Sequence, residues 1–175
     1  MFIVVRDIKE YEYGIVEGKA DSLRWGKDIS LICDMKEQFP YAEKCLLYFD
    51  SITDEIEVKL IKYLFRYFND YKQYLDEEFT ETYSISEENI LKHIKIKSII
   101  VDSECRKDRI EFHIEGSCDW ESEHGLEITI SDGKILYVGP FVDYAPNSSR
   151  IEYAMENYGY YNPESEFNMN YVDEE

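Results

Sequence analysis

Glu121, Glu123 and His124 lie within four residues of one another beside Trp120, and a second imidazole, His113, stands between Glu111 and Glu115 a short way upstream. An imidazole among carboxylates is the raw material of a general base or of a histidine and carboxylate metal site. One functional alternative follows: a hydrolase or metal-dependent enzyme using the corner from Trp120 to His124, with Glu121, Glu123, His124 and His113 as its reactive groups. A sharper form adds Cys105 and Cys118 to the two histidines as a zinc set. Its gaps of seven, four and five residues lack the close cysteine pair that marks a zinc motif. No HExxH spacing, nucleophile elbow or phosphate-cradling glycine loop is present, so no metal or cofactor is expected. The competing reading is architectural: Glu123 or His124 bonds exposed backbone where a corner turns into a strand, and Trp120 buries its ring beneath.

The elements that must position these groups follow from hydrophobic pattern. Phe2 to Arg6, the loosely alternating Tyr11 to Glu17 and Ile29 to Cys33 read as an antiparallel ribbon, the last strand entered through a turn at Trp25-Gly26-Lys27-Asp28. Pro40 suits the first turn of a helix that buries Ala42, Cys45, Leu46 and Phe49. Asp54 and Glu57 suit the cap and acidic first turn of a second helix to about Leu75. There Ile56, Leu60, Tyr63, Leu64, Tyr67, Tyr71 and Tyr74 keep a 3.6-residue period, a Tyr-rich stripe that suits either a core face or an interface. Asp76 to Tyr83 reads as a polar loop, followed by a short helix capped by Ser84 or Ser86 and ending near Ile94. Four strands then form a meander. The first runs through Ile96 to Val101, and the second alternates Ile110, Phe112 and Ile114 with Glu111, His113 and Glu115 on a polar face. The last two are a hairpin joined at Ser131-Asp132-Gly133-Lys134, where Asp-Gly suits a tight two-residue turn. The fold class is α+β: an antiparallel sheet, ribbon plus four-strand meander, covered by two to three helices. Residues 1–140 form one domain and 141–175 an acidic, Tyr-rich extension.

The segment from Trp120 through Glu121, Glu123, His124, Gly125 and Leu126 to Gly133 and Gly139 resembles the C-terminal signature of a bacterial family of domains of unknown function. The resemblance spans roughly residues 20 to 140. It implies the paired helices and the terminal hairpin and treats Trp120, Glu123, His124, Gly125, Gly133 and Gly139 as structural markers. Glu127 replaces a glycine common in the family, and the extension after residue 140 has no counterpart there.

Charge decides among partners. The chain carries 38 acids against 19 bases, a formal charge of −19, which repels nucleic-acid phosphates and anionic membranes and attracts basic proteins. With sixteen Tyr and 44% hydrophobic residues the chain is not compositionally disordered. Four scattered cysteines and no leader or membrane-length apolar run suggest a cytoplasmic protein with buried free thiols. The expected function is a non-catalytic acidic binding module, such as an immunity or inhibitor protein that neutralises a basic toxin nuclease. Its partner surface is expected on the extension, at Tyr153, Glu156, Tyr160, Tyr161, Glu164 and Glu166, and on exposed meander carboxylates.

Overall fold

Backbone pairing, rather than the apolar run at the N-terminus, sets where the ribbon begins. In the computed structural model, which describes residues 3–103 and 105–141, β1 runs Arg6–Glu10, β2 Val16–Ser22 and β3 Gly26–Cys33. Arg6 pairs with Lys19 and Glu10 with Val16, so the first strand starts where it was expected to end. The anticipated strand from Tyr11 to Glu17 is mostly a connection, with one 3-10 turn at Glu12–Gly14. The turn expected at Trp25 to Asp28 sits earlier. Ser22 Oγ accepts the backbone N–H groups of Arg24 and Trp25 at 3.2 and 2.7 Å, and β3 resumes at Gly26.

The connection between β1 and β2 holds a costly residue. It is closed by a hydrogen bond from Tyr11 N to Ile15 O at 2.8 Å, and within it Tyr13 takes φ 69° and ψ 14° while 97% exposed. A bulky side chain in the left-handed region is penalised by its Cβ, and Asn tolerates it better. Tyr13→Asn is therefore expected to raise stability by about 0.5–1 kcal/mol, read as an upward shift of the urea midpoint with unchanged slope.

Helix α1 spans Phe39–Asp50 with Pro40 in its first turn, where the missing N–H costs nothing, and it buries Ala42, Cys45, Leu46 and Phe49 as the spacing requires. Trp25 stacks on Phe49 at 4.4 Å between centroids and donates Nε1–H to Phe49 O at 3.0 Å, tying ribbon to helix. Helix α2 is Asp54–Lys72. Its cap is Thr53 rather than Asp54: Thr53 Oγ1 accepts from Ile56 N, and Asp54, Glu55 and Glu57 occupy the first turn. Leu60, Leu64, Tyr67 and Phe68 face the core, so the Tyr-rich stripe is mainly interior; Tyr74 lies beyond the helix and is exposed.

The expected polar loop at 76–83 contains a third helix, α3, at Glu77–Thr82, with Asp76 Oδ1 accepting from Phe79 N at 2.7 Å. The helix expected to end near Ile94 is reduced to a 3-10 turn at Ile90–His93. Asn89 competes there, holding Ser86 N and Ser84 O with its side-chain amide.

The meander is β4 Ile94–Val101, β5 Glu111–Cys118, β6 Glu121–Ser131 and β7 Lys134–Gly139. Asp132 and Gly133 both have positive φ, 49° and 84°, in the two-residue turn that joins β6 to β7. Ribbon and meander are one seven-stranded sheet in the order β1 to β7, antiparallel except where β3 pairs with β4 in parallel. A parallel pair needs a long crossover, and α1 and α2 lie within it.

Register then arranges the side chains in rows across the sheet. Leu31, Ile99, Ile114, Ile128 and Val138 line up on the face covered by the helices, where Phe49 and Tyr48 meet Phe112 edge-on. On the opposite face Ser30, Ser98, Glu115 and Glu127 form one row, and Ile32, Ile100, His113, Thr129 and Tyr137 the next. Alternation placed Glu111, His113 and Glu115 on this second face correctly. Their expected exposure is corrected, because Glu111 and His113 are fully buried there.

Candidate functional site

Strand β6 takes five steps from Glu121 to Leu126 where β5 takes two from Cys118 to Gly116, so residues 122–125 bulge out of the ladder. The buried Glu121 carboxylate gathers this excursion. It accepts from Glu123 N at 2.8 Å, from His124 N at 3.0 Å and from the His124 ring at Nδ1, 2.9 Å away. The bonding carboxylate of the corner is thus Glu121 rather than Glu123. Gly125 returns the chain to the ladder at φ 68°, and its own carbonyl accepts the Tyr67 hydroxyl at 2.9 Å. An added Cβ would stand 2.7 Å from Gly116 O, so Gly125→Ala is expected to cost about 2–3 kcal/mol. Chemical denaturation of that variant measures it.

Trp120 is buried beneath the corner as expected, edge-on to Tyr67 and Phe68 at 5.6 and 5.8 Å. Its Nε1 has no hydrogen-bond partner among the described residues. Asp119, the other turn residue, takes the His93 ring at 2.9 Å and donates its N–H to His93 O. Above the corner lies an open depression of about 250 Å³ lined by Lys97, Glu115, Ser117, Ser122, Glu123 and His124, among others. Here the structure brings Glu121, Glu123 and His124 to one place. With a carboxylate at Nδ1, the neutral ring carries its proton there and Nε2 is its basic nitrogen. The His124 side chain is 59% exposed, and no hydrogen bond joins it to Ser117 or Ser122 among the described residues.

His113 does not join that group. It points from the middle of β5, and its partner across the ladder, Thr129, is five residues along β6 from His124, which lies in the bulge. His113 is caged instead by two carboxylates. Nδ1 lies 3.1 Å from Glu127 Oε1, and Nε2 lies 3.6 Å from Asp102 Oδ2, an ion-pair distance longer than a hydrogen bond. Burial pulls the imidazolium pKa down, but the nearby carboxylates of Asp102 and Glu127 outweigh it and raise it to about 9. Beside it Glu111 takes Arg106 in two hydrogen bonds to Oε1, the backbone N–H of Arg106 at Oε2 and the Ser131 hydroxyl. Buried between two carboxylates and protonated at neutral pH, His113 offers no basic nitrogen there, although its Nε2 makes no hydrogen bond among the described residues.

The four-residue zinc set is likewise dispersed. Cys118 bonds toward the carbonyls of Glu121 and Gly125 at the end of β5, far from His113, and no group of three or more potential ligands converges among the described residues. All four cysteines are buried and unpaired, and burial pushes the thiols of Cys33, Cys45 and Cys118 up to about 12. Of the two partners of the caged histidine, Glu127 was visible by its alternation with Leu126 and Ile128 as a polar-face residue, and Asp102 carried no signal. The partner-binding residues expected at Tyr153, Glu156, Tyr160, Tyr161, Glu164 and Glu166 lie outside the described residues.

No helix among the described residues is long and apolar enough to cross a membrane. No curated protein and no solved structure matches the chain. The corner, the hairpin and the helices all fall within residues 6–145, which match a family described as a domain of unknown function (DUF6985), and to that family the chain belongs.

Proposed function

We propose that the protein is a non-catalytic binding module whose negative exterior docks a basic protein, the role an immunity or inhibitor protein plays against a toxin nuclease in the cytoplasm. The observation that carries this reading is uncompensated charge on the folded domain. Residues 1–140 alone hold thirty acids against eighteen bases. Internal ion pairs, moreover, engage several of the cations: Arg6 with Asp21 and Asp28, Lys19 with Glu17, Arg24 with Glu57, and Arg106 with Glu111. Exposed carboxylates at Glu78, Glu87 and Glu88 lie in a stretch in which no base intervenes between residues 73 and 91. Such a field speeds encounter with a cationic partner and makes binding salt-sensitive.

The test is affinity capture on the full chain at low and at high salt, followed by titration with the purified partner. A partner of high isoelectric point, bound at least about tenfold more weakly at high salt, is the expected result. Binding that salt leaves unchanged, or an acidic partner, would overturn the reading. A second reading, hydrolysis at the corner, draws on the Glu121–His124 pair at the rim of an open depression. Under it, Glu123→Ala with His124→Ala abolishes turnover of an ester or phosphoester panel while leaving the melting temperature unchanged.

A further inference from the structure

The strongest unexplained feature outside the corner is Tyr13. Its left-handed backbone disfavours a bulky residue, and at 97% exposure its ring packs on nothing that could offset the cost. Folding does not account for a tyrosine at this position. Recognition does, because a tyrosine held on a tight turn offers a large, amphipathic contact that loses little entropy when covered, and such residues dominate binding energy at interfaces. The turn is braced: Tyr11 N donates to Ile15 O, and the following Gly14, at φ 85°, sits where an added Cβ would lie 3.4 Å from Asp34 O.

Two further apolar side chains are exposed at this end of the sheet. Val16 pairs with Cys33, so Ile15 and the residues just after Cys33 emerge together, and both Ile15 and Met35 are exposed. Exposed Glu10, Glu12 and Glu37 flank them, against Lys9 and Lys36.

We infer that Tyr13, with Ile15 and Met35, anchors the partner's interface, its ring entering an apolar cleft on a basic protein whose cations meet the flanking carboxylates. The inference rests on the reading of a basic partner given above and places the contact. Charge selects this occupant. Two copies of a chain at −19 repel each other, as do nucleic acid and anionic membrane. An added peptide strand is disfavoured because β1 pairs through a register shift beside Asp7, at φ 54°.

The experiment uses the full chain with a photo-crosslinking residue, Tyr13→p-benzoylphenylalanine, and separately Lys62→p-benzoylphenylalanine on the exposed side of α2, irradiated in the cells of origin. Adducts are identified by mass spectrometry, and the purified partner is titrated against wild type, Tyr13→Ala and Tyr13→Phe. Expected is an adduct at position 13 with a protein of isoelectric point above about 9, binding weakened about 30-fold by Tyr13→Ala and less than about threefold by Tyr13→Phe, and no loss of melting temperature. A basic partner that crosslinks only from position 62 and binds Tyr13→Ala as tightly as wild type overturns this inference and leaves the function intact. No adduct at either position overturns this inference alone, and adducts confined to neutral or acidic proteins overturn both.

Discussion

Glu127→Ala is expected to destabilise the fold by about 3–5 kcal/mol at pH 7, because it strands the buried His113 imidazolium with only the longer contact to Asp102. Replacing both members, His113→Leu with Glu127→Met, should recover most of that loss, since an apolar pair of similar volume owes no desolvation penalty. The pH dependence has a definite sign. His113 titrates near 9 in the folded chain and near its ordinary 6.5 when unfolded. Its contribution is therefore complete below about pH 6.5 and is lost as pH rises through 9, amounting to about 3 kcal/mol. Urea unfolding at pH 6.5 and 9.5 measures this as the difference between wild type and the double variant. The comparison is needed because the buried thiols also disfavour folding at high pH, and they are common to both proteins. Equal pH dependence in the two proteins would show that the cage is not charged.

Trp120→Ala is expected to cost about 3–5 kcal/mol, the usual range for emptying a buried indole site, whereas His124→Ala should change stability by less than about 0.5 kcal/mol. The contrast follows from position. Trp120 fills the space against Tyr67 and Phe68, while His124 spends its Nδ1 on a carboxylate that still holds two backbone N–H groups without it. Denaturation of both variants, monitored by far-ultraviolet circular dichroism, tests this. A His124→Ala variant that unfolds like Trp120→Ala would make the imidazole part of the scaffold and remove it from any chemistry at the depression.

Much of the architecture was legible because it depends on local pattern. Pro40 and the apolar spacing after it set α1, a 3.6-residue period set α2, and Asp132-Gly133 set the last hairpin, since the backbone angles such a turn demands are those that Asp and Gly tolerate. Helix α3 was not legible: Asp76 caps it and its first turn is acidic, but its polarity read as a loop. The register of β6 with β5 was not either, because the bulge of residues 122–125 exists only once Glu121 closes on it.

By itself, then, the order of residues determined helices α1 and α2 and the last hairpin, and that the domain is strongly negative. Tertiary structure alone decided that ribbon and meander share one sheet through the parallel pairing of β3 and β4, and that His113 parts from His124 to lie between Glu127 and Asp102. The division has a physical cause. Periodicity and turn chemistry act over a few residues. Whether an imidazole serves as base, ligand or buried cation depends on which carboxylates the chain brings to it from 11 and 14 positions away.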